Sequence, residues 1–131
     1  GDMLYANLVE SEGIRLLGKK FHPIRSLMHA NDYYNFLKSI DIGIFDSKRQ
    51  AGAGNIFHLL GYGKSVYINK QSTVYSQCIR LGFYLKDTSF INEGVFEEKH
   101  LQKNVEIAKD ILSKAGLIKS WKSLLGQLDC E

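Results

Sequence analysis

The residues best suited to chemistry follow a short apolar run at Asp41–Phe45. The chain then places Arg49, Gly52 and Gly54 close together, and a helical pattern begins at about Gly54. Glycine lets the backbone turn tightly and approach a ligand closely, and the unpaired amides at a helix start favour an anion. The arginine guanidinium matches phosphate oxygens with two parallel hydrogen bonds. The segment therefore predicts a phosphate or diphosphate site, whereas a glycine turn with solvated surface charges is the alternative.

Other polar side chains near this segment are weaker candidates for contact with the same anion. Gln50 and Asn55 offer donors and acceptors, although Asn55 is equally suited to cap the helix. Lys48 offers a point charge, or is simply a solvated lysine. A second-best phosphate or base contact follows the next predicted strand, at Lys70, Ser72 and Thr73. A role as helix cap explains the hydroxyl of Ser72 or Thr73 equally well.

Composition and charge exclude several function classes and predict neither a metal nor a cofactor. The net charge of the 131 residues is only +3, which is too small to indicate a nucleic-acid partner. Cys78 and Cys130 match no metal-ligand spacing and fit a reducing cytoplasm, and the chain has no Asp-x-Asp pair. No apolar run approaches the ~18 residues of a membrane span, and the start lacks a signal-peptide pattern. We therefore expect a cytoplasmic protein.

Alternating extended and helical patterns must position these residues. The predicted strands are Phe21–Ile24, Asp41–Phe45, Ser65–Ile68 and Phe83–Lys86. The predicted helices run from Leu4 to near Gly18, over Tyr33–Ile40, from Gly54 to Gly61, from Ser72 or Thr73 to Gly82, and through two C-terminal helices at about residues 97–128. The short links predict a parallel sheet with helices on both faces, so we expect one Rossmann-like α/β domain over residues 1–131. Ligands bind outside the carboxyl ends of such strands, where loops 25–29, 46–55, 69–73 and 87–89 are expected to meet.

The segment "DIGIFDSKRQAGAGNIFHLLGYGKSVYINK" (residues 41–70) resembles the C-terminal half of the bacterial 4-alpha-L-fucosyltransferases, glycosyltransferase group 56. Those enzymes are TDP-N-acetylfucosamine:lipid II N-acetylfucosaminyltransferases. The family pattern is matched at Asp41, Ile42, Ile44, Phe45, Arg49, Gln50, Gly54, Asn55, Ile56, Leu59, Leu60, Gly63, Lys64, Val66 and Tyr67. The resemblance runs from about Tyr5 to Ile91. The chain departs from the family at Asp46, where an Asn is common, and at Ala51 and Gly52, which replace a bulkier pair.

The resemblance implies the donor-binding, C-terminal half of a GT-B fold. The implied reaction transfers a deoxyamino sugar, similar to N-acetylfucosamine, from a TDP-sugar to a lipid-linked acceptor in envelope glycan synthesis. The implied contacts to the donor diphosphate are Arg49, Gln50, Gly52, Gly54 and Asn55. His58 falls where many GT-B donor domains carry a ribose-binding Glu, and a place on the polar face of a helix is its alternative. The family binds its acceptor mainly through a preceding domain that this chain does not include, so we expect the chain alone to be inactive and assign no catalytic residue.

The same sequence leaves open a function of another class and two further contacts. A non-catalytic Rossmann-like or flavodoxin-like module that binds a nucleotide or a protein partner is the alternative function. Residues 99–127 carry six lysines against Glu106 and Asp110, which favours peripheral contact with the inner face of a bacterial inner membrane, although a solvated lysine face gives the same pattern. An exposed sheet edge, where paired strands are missing, would favour a homodimer.

Overall fold

The computed structural model describes residues 2–49 and 52–129. It divides into two compact units, one extending to Asp32 and the other starting at Tyr33. Gln50, one of the predicted diphosphate contacts, lies outside the described residues, and so does Ala51. The predicted single domain therefore has a separate N-terminal unit, and each unit is described by itself.

The first unit is built on one long helix, α1 (Met3–Leu17). The Asp2 side chain caps it by accepting the Leu4 amide at 2.9 Å, and the helix ends at Gly18, whose φ is 56°. A short 3-10 turn, Gly18–Lys20, follows. The helix prediction from Leu4 to near Gly18 is confirmed.

The predicted strand at Phe21–Ile24 is wrong, because all four residues are described and none lies in a strand. The segment instead packs on α1. A Cβ added to Gly13 would lie 2.4 Å from the Phe21 ring, and the Arg25 guanidinium donates to Glu10 Oε2 at 2.6 Å and to Asn7 Oδ1 at 3.1 Å. Loop 25–29 therefore follows no strand.

The second unit alternates strands and helices in the predicted order. Its elements are α2 (Ala30–Ser39, which begins in the first unit), β1 (Ile42–Phe45), α3 (Ala53–Gly61), β2 (Ser65–Ile68), α4 (Thr73–Arg80), β3 (Lys86–Asp87), a 3-10 helix (Thr88–Glu93), α5 (Glu98–Leu112) and α6 (Lys114–Asp129). The described strands form one open parallel sheet in the order β1-β2-β3. The prediction of a Rossmann-like α/β fold with a parallel sheet and flanking helices is thus confirmed.

The central strand β2 is completely buried because helices cover both faces of the sheet. Its side chains alternate between two cores. Val66 and Ile68 pack in the larger core with residues of α2, α3, α4 and α5, whereas Tyr67 packs with Phe96 and Leu101. Within the described residues β1 pairs only with β2, so its outer edge is where the predicted homodimer contact would form, and the homodimer stays a prediction.

The last strand is displaced from its predicted position at Phe83–Lys86 to Lys86–Asp87. The reason is that a side chain takes the place of a hydrogen-bonded neighbouring strand beside Tyr84. The buried Asn104 accepts the Tyr84 amide at 2.7 Å and donates to the Tyr84 carbonyl at 2.8 Å, and these are the two bonds that a neighbouring strand would make. Phe83 and Leu85 are buried, as the apolar pattern requires, without forming a strand.

Candidate functional site

The loops after the three strands meet at the carboxyl edge of the sheet, as the sequence predicts. Together they enclose an open cleft of about 530 Å³. Its polar lining includes Asp46 and Lys48 after β1, Asn69 and Lys70 after β2, and Asp87 and Thr88 at the end of β3. Ile44 and Ile91 add an apolar wall.

Asp46 holds the three loops together. Its Oδ1 accepts Thr88 Oγ1 at 2.7 Å and Asn69 Nδ2 at 3.2 Å. Asn69 in turn accepts the Gln71 amide at 2.9 Å, which fixes the turn into α4. In the sequence, Asp46 departs from the family pattern and opens a loop that is expected to meet residues 87–89. The pattern does not pair its carboxylate with Thr88, because side-chain directions in loops leave no periodic signal.

Asp87 is the second carboxylate of the cleft and is engaged on both oxygens. Oδ1 accepts the Lys70 amide at 2.7 Å, and Oδ2 accepts the Ser89 hydroxyl. Hydrogen bonds from the Ser89 side chain and the Lys70 backbone lower the pKa of the Asp87 carboxyl below its ordinary value of 3.8. The cleft therefore holds a fixed negative charge at neutral pH.

Helix α3 begins with a glycine cap. Gly52 is the N-cap in a left-handed conformation, with φ 71° and ψ 19°, and no described side chain caps the helix. The Gly52 carbonyl accepts the Ile56 amide at 2.9 Å, which closes the first turn. A Cβ added to Gly54 would meet none of the described neighbouring atoms within 4 Å, so there is room beside the Gly54 Cα. First-turn amides without a side-chain cap are donors of the kind that bind a phosphate.

Arg49 and Gly52 border the same depression, a recess of about 180 Å³ that also includes Ser72 and Asp46. The Arg49 side chain is exposed, and its amide donates to Ser47 Oγ at 3.2 Å. Asp46 borders both this recess and the larger cleft. The structure thus brings the predicted arginine next to the predicted glycine.

Other predicted site residues have local structural roles. Asn55 lies inside the first turn of α3, so its interpretation as an N-cap is wrong, and its Oδ1 accepts the Tyr33 hydroxyl. Ser72 is the N-cap of α4 and accepts the Tyr75 amide at 3.2 Å, which confirms the cap interpretation. Thr73 is the exposed first residue of that helix.

The three remaining candidates lie at two different places. Lys48 and Lys70 are exposed side chains that line the larger cleft. His58 is exposed, contacts the Tyr34 ring edge-on at 5.1 Å and stacks with Tyr62 at 6.1 Å, measured between ring centroids. His58 is not one of the described residues that line the cleft or the recess. Its position on an exposed helix face fits the alternative interpretation better.

The described residues form an α/β fold with a small recess, lined by Arg49, Asp46 and apolar side chains, beside a polar cleft at the carboxyl edge of a parallel sheet. The described residues contain no group of three or more His, Cys, Asp or Glu side chains placed to hold a metal ion. No helix in the described part of the chain is long and apolar enough to cross a membrane. No protein-family model matches the chain, and no solved structure matches it significantly.

Proposed function

We propose that this chain is the donor-binding part of a glycosyltransferase that transfers a deoxyamino sugar from a TDP-sugar to a lipid-linked acceptor. The resemblance of residues 41–70 to the 4-alpha-L-fucosyltransferases supports the reaction class. The geometry supports the binding of a nucleotide sugar, because the polar loops of a parallel sheet meet where such folds bind ligands.

One observation carries the proposal: Arg49 and Gly52, the start of α3 that no described side chain caps, border one recess. A diphosphate there would receive hydrogen bonds from the guanidinium and from first-turn amides, together with the favourable end of the helix dipole. These donors stabilise the charge that develops on the leaving diphosphate during transfer. In the proposal, the Arg49 guanidinium and these amides bind and stabilise the leaving group.

The charges of the cleft bear on how the donor would be oriented. Asp87, which has a lowered pKa, and Asp46 line the larger cleft together with Lys48 and Lys70, so opposite charges largely balance there and offer a diphosphate little net attraction. Carboxylate oxygens and the Asn69 amide suit hydroxyl groups instead. The diphosphate therefore belongs on the Arg49 side, and a hydroxyl-bearing ring of the donor belongs in the larger cleft.

Titration calorimetry with thymidine diphosphate, uridine diphosphate, thymidine and orthophosphate tests the proposal. We expect both diphosphates to bind, thymidine diphosphate more tightly, and thymidine and orthophosphate to bind far more weakly, because each keeps only part of the contacts. Absence of binding by either diphosphate would contradict the proposal. Binding of flavin mononucleotide in place of the diphosphates would instead support a flavodoxin-like module.

A further inference from the structure

The helix α6 (Lys114–Asp129) turns an apolar face toward solvent. Leu117 is 55 % exposed, Ile118 46 %, Trp121 62 % and Leu125 53 %. At 3.6 residues per turn these four positions fall within an arc of about 100° on one side of the helix. Four large apolar side chains on one arc form a continuous stripe, unlike the single exposed apolar residues that any surface shows.

The opposite side of α6 faces α5, and one glycine sets this orientation. A Cβ added to Gly116 would lie 2.1 Å from the Asp110 carbonyl oxygen, so the start of α6 presses directly on the end of α5. The Gly116 amide donates to Ser113 Oγ at 3.1 Å. Lys119 and Ser123 line a recess of about 470 Å³ together with residues of α5. Small and polar positions thus face the protein, and the apolar stripe faces outward.

Positive charge predominates on α6. Its residues 114–129 contain three lysines against Asp129, and Asp110 of α5 lines the recess beside Lys119. Lys119 and Lys122 on α6 are exposed, and so are Lys103 and Lys109 on α5. An apolar stripe that includes a tryptophan, flanked by lysines, is the arrangement of a helix that lies in the interface of an anionic bilayer.

We propose that α6 lies flat in the surface of an anionic phospholipid bilayer, with Leu117, Ile118, Trp121 and Leu125 inserted among the acyl chains and Lys122, which borders the stripe, at the headgroups. A second copy of the chain fits this surface less well. Two α6 helices packed along their stripes would bring three lysines from each copy together against one Asp129 from each, and the excess of like charges opposes such packing. The proposal rests on α5 and α6 alone and does not depend on the nucleotide site.

Trp121 is the only tryptophan of the chain, so its fluorescence reports the face directly. We expect its emission to move to shorter wavelength and become protected from iodide when vesicles of phosphatidylglycerol and phosphatidylcholine are added. Pure phosphatidylcholine should give a much smaller change, and salt should weaken the anionic response. An unchanged emission with anionic vesicles would overturn the proposal. A blue shift that rises with protein concentration in the absence of lipid would also overturn it, in favour of a second copy.

A pair of charge-matched variants separates insertion from simple attraction between charges. Leu125→Asp adds a negative charge within the stripe, and Ser123→Asp adds the same charge on the side near α5. Both sites are exposed, so neither variant removes core packing. Leu125→Asp should lower vesicle partitioning at least about tenfold more than Ser123→Asp. The reason is that it also removes a leucine that the proposal inserts among the acyl chains. Equal losses in the two variants would show that charge alone drives binding and would overturn insertion of the stripe.

Discussion

Gly52 and Gly54 have identical chemistry in the sequence and different tasks in the structure. Gly52 has a positive φ of 71°, which L side chains rarely adopt, and a Cβ there would lie 3.2 Å from the Phe45 ring. Gly54 is helical, and a Cβ there would meet nothing within 4 Å. The turn therefore needs glycine at position 52 and tolerates a side chain at position 54.

The two glycines therefore give opposite predictions for alanine substitutions. Gly52→Ala should lower the free energy of unfolding by about 1–2 kcal/mol, the cost of a left-handed L-residue. Gly54→Ala should leave stability unchanged or raise it by up to about 1 kcal/mol, since alanine favours the helix. It should still weaken the binding of thymidine diphosphate. Urea denaturation and calorimetry measure both effects. Undiminished affinity in Gly54→Ala would show that no ligand closely approaches this turn.

Asp87 predicts a specific dependence of stability on pH. Its carboxyl has a lowered pKa in the folded protein, so it stabilises the fold fully above the unfolded value near 3.8 and loses that contribution as the pH falls through its folded value. Asp87→Asn should therefore be less stable than the wild type at pH 7, and the difference should shrink between about pH 5 and pH 3. Urea denaturation at several pH values measures it, with Asp41→Asn as a control for removing one exposed charge. A difference that stays constant with pH would contradict the assignment.

At the scale of elements, apolar periodicity predicts well the positions of those helices and strands that bury one apolar face. β1, β2, α3 and α4 lie where the pattern places them because their buried faces have regular spacing. The two failures, at Phe21–Ile24 and at β3, have a common cause. In both, contacts between distant residues replace strand pairing, through Gly13 in the first case and Asn104 in the second. Such partners leave no periodic signal in the local sequence.

Asn104 should accordingly be among the most sensitive polar residues of the second unit. Asn104→Leu would leave the amide and carbonyl of Tyr84 without partners, at about 1–3 kcal/mol for each buried group. We expect a loss of several kcal/mol in the free energy of unfolding, measured by urea denaturation. The control is Gln102→Leu, two positions earlier on the exposed side of α5, which should change stability by less than about 0.5 kcal/mol. Similar small effects in both variants would contradict the role of Asn104 as a substitute strand partner.

At the scale of the whole molecule, the sequence predicts the layer architecture and the edge of the sheet at which the polar loops meet. Alternation of strands and helices suffices for this, because parallel strands place their following loops at one edge. It does not predict that Asp46 bridges to Thr88, nor that the edge divides into a carboxylate-lined cleft and an arginine-lined recess. That division depends on side-chain directions that only the folded chain defines, and it orients the proposed donor.

The central claim is that Arg49 binds the diphosphate of a nucleotide sugar. Calorimetric titration of wild type, Arg49→Ala and Arg80→Ala with thymidine diphosphate tests it most directly. Arg80 is an exposed arginine in the last turn of α4, outside the described lining of the cleft and the recess, and controls for the loss of one positive charge. Arg49→Ala should weaken binding by roughly 1.5–3 kcal/mol, about 10- to 150-fold in Kd, with little change in melting temperature of the free protein. Arg80→Ala should bind like the wild type. Equal affinity in wild type and Arg49→Ala would contradict the claim and remove Arg49 from the site.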